Sequence, residues 1–344
     1  MRIVAIGRTR ILYDSINILA EAGHEIVLIG TCKAAPEYDI KEDSFESLAN
    51  KLGAKFFNDI HINSPYIVDL LRSVKADIAV SINWITIIRD VVLNCFKYGV
   101  LNAHAGDLPR YRGNACPNWA ILKGENEYAI TIHYMKGGEL DSGDILLKKY
   151  YEIYDNTSIT DIYFQMGKEI PLMFVEAIEK INWDGFCAEK QSTDPNDSLR
   201  CYPRIPTDSY IDFNDSCMEI LRNIRASSHP FQGSFFFLDS NKVYVYEAEW
   251  NPFYTPCYVY PGQVIEVNRD DGYVCIAARD GMIKVHKLCI DKIEYVASDI
   301  LNSTRIRVNY CLPEEIYIHK KKMQDLMDEI DNIKKKLSGV EGND

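Results

Sequence analysis

The chain has 344 residues, 47% of them hydrophobic and 26% charged, with a formal net charge of −12. That is material for two packed domains with an appendage, not for a disordered chain. The acidic balance argues against a polyanionic partner, because nucleic-acid binders carry a basic field, and the absence of any apolar run of about 18 residues argues against a bilayer-spanning helix.

The first residues, MRIVAIG, lack the long apolar stretch and small-residue cleavage site of a secretory signal and read as a buried first strand, so a cytoplasmic protein is expected. After RIVAIG the pattern predicts a helix over 11–22, the strand EIVLIG, helices around 45–52 and 65–74, the strand DIAVSI at 77–82, and the strand GVLNAH at 99–104 after another short helix. Strand and helix in alternation predict a parallel, doubly wound sheet with its ligand crevice beyond the carboxyl ends of the strands. Gly7 stands alone where a dinucleotide loop needs G-x-G-x-x-G, so no nicotinamide cofactor is expected. Gly30, closing the second strand, reads as a turn glycine. A loop follows His104, then a helix over 117–122, strands at 129–135 and 145–153 around the turn KGGELDSGD, and a helix over 158–180.

Residues 184–209 are polar, carry three prolines and read as a connector over the surface. The run IDFNDSCMEILRNIRASSHPF predicts one helix ended at Pro230, and the sequence from there to about Cys311 alternates with period two around Asp-Gly and Pro-Gly turns, predicting a small mostly-β, barrel-like domain. After Pro313, His319, Met323, Leu326, Ile330, Ile333 and Leu337 recur at steps of four and three, an apolar stripe on a helix that either packs on its own β domain or pairs subunits into a homodimer. The expected organisation is therefore an α/β, Rossmann-like domain over 1–183, a connector over 184–209, the β domain over 210–312, and a C-terminal helix and tail over 313–344. The ten cysteines stand singly with no Cys-x-x-Cys pair, which predicts reduced thiols and no metal site.

The chemistry-bearing stretch is LNAHAGDLPRYRG, residues 101–113. An Asn and a His at i and i+2 of a strand point to one side. Asn102 offers an amide donor to a developing oxyanion, and His104 a base near neutral pH. The turn ELDSGDIL supplies Asp141 and Asp144 as candidates to orient the imidazole. No Ser or Cys stands in a nucleophile elbow, which favours direct transfer between two bound substrates over a covalent intermediate.

In order along the chain, Asn102-x-His104, Leu108-Pro109-Arg110-Tyr111-Arg112-Gly113, Trp119-Ala120-Ile121, Thr131-x-His133 and Asp141-Ser142-Gly143-Asp144-Ile145 resemble the core of the N10-formyltetrahydrofolate-dependent formyltransferases. The resemblance is close over about 75–150 and looser to about 312. It implies a Rossmann-like first domain in which Asn102 stabilises the tetrahedral oxyanion, His104 acts as base toward an amine, and Asp141, in preference to Asp144, supports His104. It also implies that N10-formyltetrahydrofolate is the formyl donor and lies against Trp84, Ile85 and Ile87. Arg112 is then a contact for its acidic tail, unless it braces its own loop. His133 reads as structural.

Three readings compete. A member acting on initiator tRNA, a methionyl-tRNA formyltransferase, has a similar β domain, but residues 210–312 hold ten Lys and Arg against thirteen Asp and Glu, whereas an RNA-docking domain is expected to be basic. His104-Ala105-Gly106-Asp107-Leu108-Pro109, Arg204-Ile205-Pro206-x-Asp208 and His229-Pro230-Phe231-Gln232-Gly233 resemble the branch that formylates amino sugars on nucleotides. That reading expects a small dTDP- or GDP-linked dideoxyamino sugar as acceptor, no nucleic acid, and a place in surface polysaccharide (lipopolysaccharide O-antigen) synthesis. Arg200, Arg204 and Arg225 would fork the diphosphate, with Tyr202 and Phe231 against the base. A non-catalytic binding protein is the third.

Overall fold

The computed structural model describes residues 1–35, 38–182, 186–239, 241–308 and 312–338, with side chains placed for all but 312–315 and 335–338 of the last segment. The expected boundaries at 183–184 and about 311, and the side chain of Leu337, lie outside the described residues. The chain divides into two compact units, Met1–Tyr210 with Leu221–Ser234, and Ile211–Ile220 with Phe235–Asp344.

In the first unit the chain runs β1 (Arg2–Gly7), α1 (Arg10–Glu21), β2 (Glu25–Thr31), α2 (Glu42–Leu52), β3 (Lys55–Asn58), α3 (Pro65–Ser73), β4 (Ile78–Ile82), α4 (Asp90–Leu93) and β5 (Val100–His104). Then follow β6 (Arg112–Gly113), α5 (Cys116–Lys123), β7 (Glu127–Tyr134), β8 (Ile145–Glu152), α6 (Ile159–Ile181) and β9 (Arg200–Cys201). Seven strands form one sheet in the order β3-β2-β1-β4-β5-β7-β8. The first five are parallel; β7 runs antiparallel to β5, and β8 to β7. Strand β1 shows why the sheet needs cover on both faces: Ile3 and Ala5 pack with Leu12, Leu19, Phe45 and Phe174, whereas Val4 and Ile6 pack with Leu28, Ile67, Leu71 and Phe96. This is the alternation of a strand buried on both sides.

Strand β3 was not anticipated from the sequence, because KFFN is short and has exposed ends; pairing with β2 sets it, Ile29 opposite Phe56. Gly30 is no turn residue. It lies within β2, where a Cβ would stand 2.2 Å from the Phe57 ring, so close packing is what requires glycine there.

The connector keeps most of its side chains exposed, as expected of a run over the surface, and is tied down by strand pairing. Strand β9 pairs in parallel with β6, Arg112 opposite Arg200 and Gly113 opposite Cys201, and Glu189 bridges Ile145 on β8. The helix expected to begin near Ile211 starts at Cys217 and ends at Ser227 (α7). Asp212 accepts from Asn214 N at 2.9 Å, and Ser216 and Glu219 exchange hydrogen bonds, Glu219 Oε2 accepting from Ser216 N at 2.9 Å and Ser216 Oγ from Glu219 N at 3.3 Å. These local bonds satisfy the backbone outside a helix and then start one.

The second unit continues with β10 (Ser234–Leu238), β11 (Asn241–Val245), β12 (Glu249–Asn251), β13 (Val264–Asn268), β14 (Tyr273–Ala277), β15 (Met282–Val285), β16 (Lys287–Ile290), β17 (Ile293–Val296), α8 (Ala297–Ile300) and α9 (Leu312–Ser338). Its strands form two four-stranded sheets, β10-β11-β16-β17 and β12-β15-β14-β13. Phe213 and Phe236 meet edge to face at 5.9 Å in its core. Among the described residues no helix is long and apolar enough to cross a membrane.

Candidate functional site

The carboxyl ends of β4 and β5 lie side by side, with Ser81 opposite Asn102, so the crevice of the parallel sheet opens where the Asn and His stand. Strand β7 completes the floor in antiparallel register, Asn102 opposite His133 and His104 opposite Thr131. Thr131 Oγ1 donates to Gly106 O at 2.8 Å and fixes the start of the loop.

His104 is 8% exposed. Its Nε2 lies 2.6 Å from the carbonyl oxygen of Tyr111, which only accepts, so Nε2 carries the hydrogen and Nδ1 is the basic nitrogen. That nitrogen is 3.6 Å from Asp141 Oδ2. A proton taken by Nδ1 therefore arrives beside a carboxylate. Asp141 Oδ2 also accepts from Gly113 N at 2.9 Å, and Oδ1 lies 3.6 Å from His133 Nε2. Burial by itself would raise the Asp141 pKa, but the charge that the two imidazoles bring when protonated and the Gly113 N–H outweigh it and hold the carboxyl well below the usual range. Asp141 adopts φ 50°, and at neighbouring Gly143 a Cβ would meet Tyr134 O at 1.9 Å, so the turn is shaped around this carboxylate.

His133, read from the sequence as structural, belongs to the site. Its Nδ1 donates to Tyr134 O at 2.8 Å, leaving Nε2 to accept from Asn102 Nδ2 at 3.2 Å. One amide hydrogen of Asn102 is thereby held and the other left for a ligand. Thr131-x-His133 is the sequence signal; what makes it informative is the register of β7 on β5.

The loop is braced from three sides. Asp107 Oδ1 accepts from Lys148 Nζ at 2.9 Å and from Tyr150 Oη at 2.8 Å. Tyr111 Oη donates to Glu125 at 2.6 Å, and burial together with that carboxylate pushes the phenol well above its ordinary pKa. Cys116 Sγ donates to Tyr111 O at 2.9 Å; the neighbouring Cys201 and then burial push the Cys116 thiol up. The connector contributes Gln191, whose Nε2 donates to Asp141 O at 3.0 Å and Gly143 O at 2.7 Å while its Oε1 accepts from Arg112 at 2.7 Å. Sequence reasoning missed Gln191 because nothing local distinguishes it in a polar run.

The structure therefore brings Asn102, His104 and Asp141 together. Trp84, Ile85 and Ile87 follow the end of β4, next to Asn102's strand; Trp84 Nε1 bonds Thr86 Oγ1 at 2.9 Å, and Ile85 and Ile87 are half exposed. Arg112 serves its own loop through Gln191. Of the residues expected to hold a sugar nucleotide, Arg204 donates to Ala226 O and Asp208 O at 3.2 Å, and Arg225 to Thr157 O at 2.9 Å and Tyr154 O at 3.2 Å. These two guanidinium groups satisfy backbone carbonyls of the chain itself and do not form a diphosphate fork. Arg200 stacks over Tyr202 at 5.6 Å, and Phe231 meets Tyr163 of α6 edge to face at 6.0 Å.

Comparison with known proteins identifies the family and overturns the expected acceptor. Four curated relatives at 26–28% identity are methionyl-tRNA formyltransferases; that of Citrifermentans bemidjiense is 28% identical over 316 residues, 89% of this chain and 95% of the relative. Among solved structures, HypX from Aquifex aeolicus in complex with tetrahydrofolic acid aligns with 20% identity and a TM-score of 0.61 over 88% of this chain and 47% of HypX, so this chain spans about half of that protein. WlaRD, a sugar 3N-formyl transferase, aligns with 20% identity and a TM-score of 0.58 over 83% of this chain and 96% of its own. At such identity both share the fold and nothing finer. The relatives' names overturn the expected nucleotide-linked amino sugar, the polysaccharide role and the exclusion of nucleic acid. The charge reasoning failed because a net charge averages over a whole domain, whereas phosphate contacts need only a few local cations. The sequence profile of the formyl transferase family matches residues 1–178, more than half of the chain, and that of its C-terminal domain matches 205–305; the chain belongs to the formyl transferase family.

Proposed function

We propose that this formyltransferase moves the formyl group of N10-formyltetrahydrofolate to the α-amine of methionyl-tRNA. What carries the reading is the similarity to methionyl-tRNA formyltransferases along 85–89% of the chain for the first three relatives, both units included.

The site residues fit direct transfer. The amine nitrogen attacks the formyl carbon, the carbonyl becomes an oxyanion, and the C–N10 bond then breaks with a proton going to N10. His104 Nδ1 takes the amine proton, and the resulting imidazolium is held between Asp141 Oδ2 and the Tyr111 carbonyl, the groups already 3.6 and 2.6 Å from its nitrogens. Asn102, with one amide hydrogen fixed on His133, gives the other to the oxyanion. The half-exposed Ile85 and Ile87 beyond the end of β4 offer the donor's pterin an apolar wall.

The test is incubation of the purified chain with N10-formyltetrahydrofolate and methionyl-tRNA, reading formylmethionine after mild deacylation. Formylation of the charged tRNA, with none of uncharged tRNA or free methionine, is expected. Absence of formylmethionine at saturating donor would overturn the reading.

A further inference from the structure

Helix α9 carries an apolar face that this chain leaves uncovered. Ile316, Met323, Leu326, Ile330 and Ile333 are 48–61% exposed, and Met327 beside them 57%. Ile316, Met323 and Ile330 recur every seven residues, with His319, Leu326 and Ile333 three residues after each. This is the a/d pattern of a coiled coil. The helix has 27 residues, about 40 Å at 1.5 Å per residue, and around the stripe it is charged: Lys320, Lys321, Lys322, Asp325, Asp328, Asp331 and Lys334. A helix packed on its own β domain would bury the stripe. Here half of each of these side chains meets water, which is the condition of a surface that a second molecule covers.

We propose that α9 joins two copies of this chain as a parallel, two-stranded coiled coil. With Ile316, Met323 and Ile330 at a, the flanking e positions are Lys320, Met327 and Lys334, and the g positions within the described side chains are Lys322 and Glu329. In the parallel arrangement each g residue faces the next e residue of the other helix. Glu329 then meets Lys334 of the partner subunit, twice by symmetry, and the Lys322 stem lies along Met327 of the partner subunit, covering the apolar atoms that widen the stripe. In the antiparallel arrangement that sets Met323 against Ile333 and Ile330 against Leu326, Lys320 faces Lys334 while Met327 and Glu329 each face their own copies, so every charged contact of this kind joins like charges. Lys334 is free to turn to a partner, since its contact within the helix is an exposed one with Asp331 at 3.9 Å. Two of the three a residues are Ile and the central d residue, Leu326, is Leu, the pairing that suits two strands, while Ile333 at the last d position does not add to that preference.

The occupant is a second copy because the face is self-complementary in sign as well as in pattern: it supplies the apolar seam and both charges of the flanking pair from one sequence. The proposal does not depend on the acceptor assigned above.

Sedimentation velocity of the full-length protein over a wide concentration range tests it, with far-UV circular dichroism to verify folding. The wild type is expected to pass from monomer to dimer with rising concentration. Ile330→Lys, which sets two ammonium groups face to face in the seam, is expected to sediment as monomer throughout. Lys334→Glu separates the two orientations: opposite Glu329 in the parallel pair it weakens the dimer at least about threefold, whereas opposite Lys320 in the antiparallel pair it tightens it. A wild type that stays monomeric at the highest concentration overturns the proposal, as does a dimer that survives Ile330→Lys. A tighter dimer from Lys334→Glu overturns the parallel arrangement.

Discussion

Asn102 and His133 stand directly opposite each other on antiparallel strands β5 and β7, and the Asn102 amide donates to His133 Nε2 at 3.2 Å. The imidazole fixes which way the amide faces, since its Nδ1 is committed to Tyr134 O at 2.8 Å. If His133 acts by aiming Asn102, the two residues form one functional unit. Asn102→Ala is expected to lower kcat by about 10²–10³. His133→Ala should lower it by less, and the double variant should lose little beyond the Asn102→Ala loss. Single-turnover rates of the four proteins measure the coupling; losses that multiply would mean that His133 serves only the packing.

His104→Ala is expected to lower kcat by about 10²–10⁴, with donor binding retained. Gly106→Ala perturbs the same group by another route, because its Cβ would lie 2.3 Å from Tyr111 O and 2.5 Å from His104 Nε2, forcing apart the bond that fixes the base. Loss of turnover in Gly106→Ala with a folded circular-dichroism spectrum is the expected result. Wild-type turnover in either variant would remove His104 from the mechanism.

The Asp141 carboxyl titrates below its ordinary value in the folded protein, through His104, His133 and Gly113 acting against its burial. A depressed native pKa stabilises the fold above the unfolded value of about 3.9, and that stabilisation is lost as pH falls through the lower native value. Asp141→Asn removes the contribution. The Tm difference between wild type and Asp141→Asn should thus be full above about pH 5 and shrink toward more acidic pH. A gap that widens on acidification would contradict an ionised Asp141.

Arg225 donates to Thr157 O, where the bond is part-buried, and to Tyr154 O, so Arg225→Ala removes two charge-assisted hydrogen bonds that hold these carbonyls. A stability loss of about 1–3 kcal/mol is expected, with KM for the acceptor unchanged. Urea denaturation and steady-state kinetics read the two effects separately. A raised KM at unchanged stability would return Arg225 to the substrate.

Gln191 joins the connector to the Asp141 turn through bonds to Asp141 O and Gly143 O, at 3.0 and 2.7 Å. Gln191→Ala is expected to lower kcat by about tenfold through misplacement of the carboxylate, and Gln191→Glu, which loses the amide donors, should do no better. Retained kcat in both would limit Gln191 to holding the chain.

Several features needed no tertiary information. Alternating strands and helices gave the parallel sheet, and Asn102-x-His104 at the end of an apolar run marked the crevice, because strand periodicity puts both side chains on one side and the doubly wound sheet opens at its carboxyl ends. The ordered motifs from Asn102 to Ile145 point to the family by themselves. Asp141 was singled out over Asp144 by the motif, and only the structure shows its carboxylate facing His104.

What remained was nonlocal. His133 became a partner of Asn102 through strand register, a property of two strands together. Gln191 reached Asp141 across fifty positions, and β3 existed only because β2 offered it an edge. Arg204 and Arg225 read as candidates for a diphosphate, since a sequence shows a guanidinium but not the carbonyls that the fold turns toward it. Sequence periodicity determined which faces are apolar and which residue types could do the chemistry; the tertiary structure decided which atoms meet, because hydrogen-bond distance is set by packing among segments far apart in the chain.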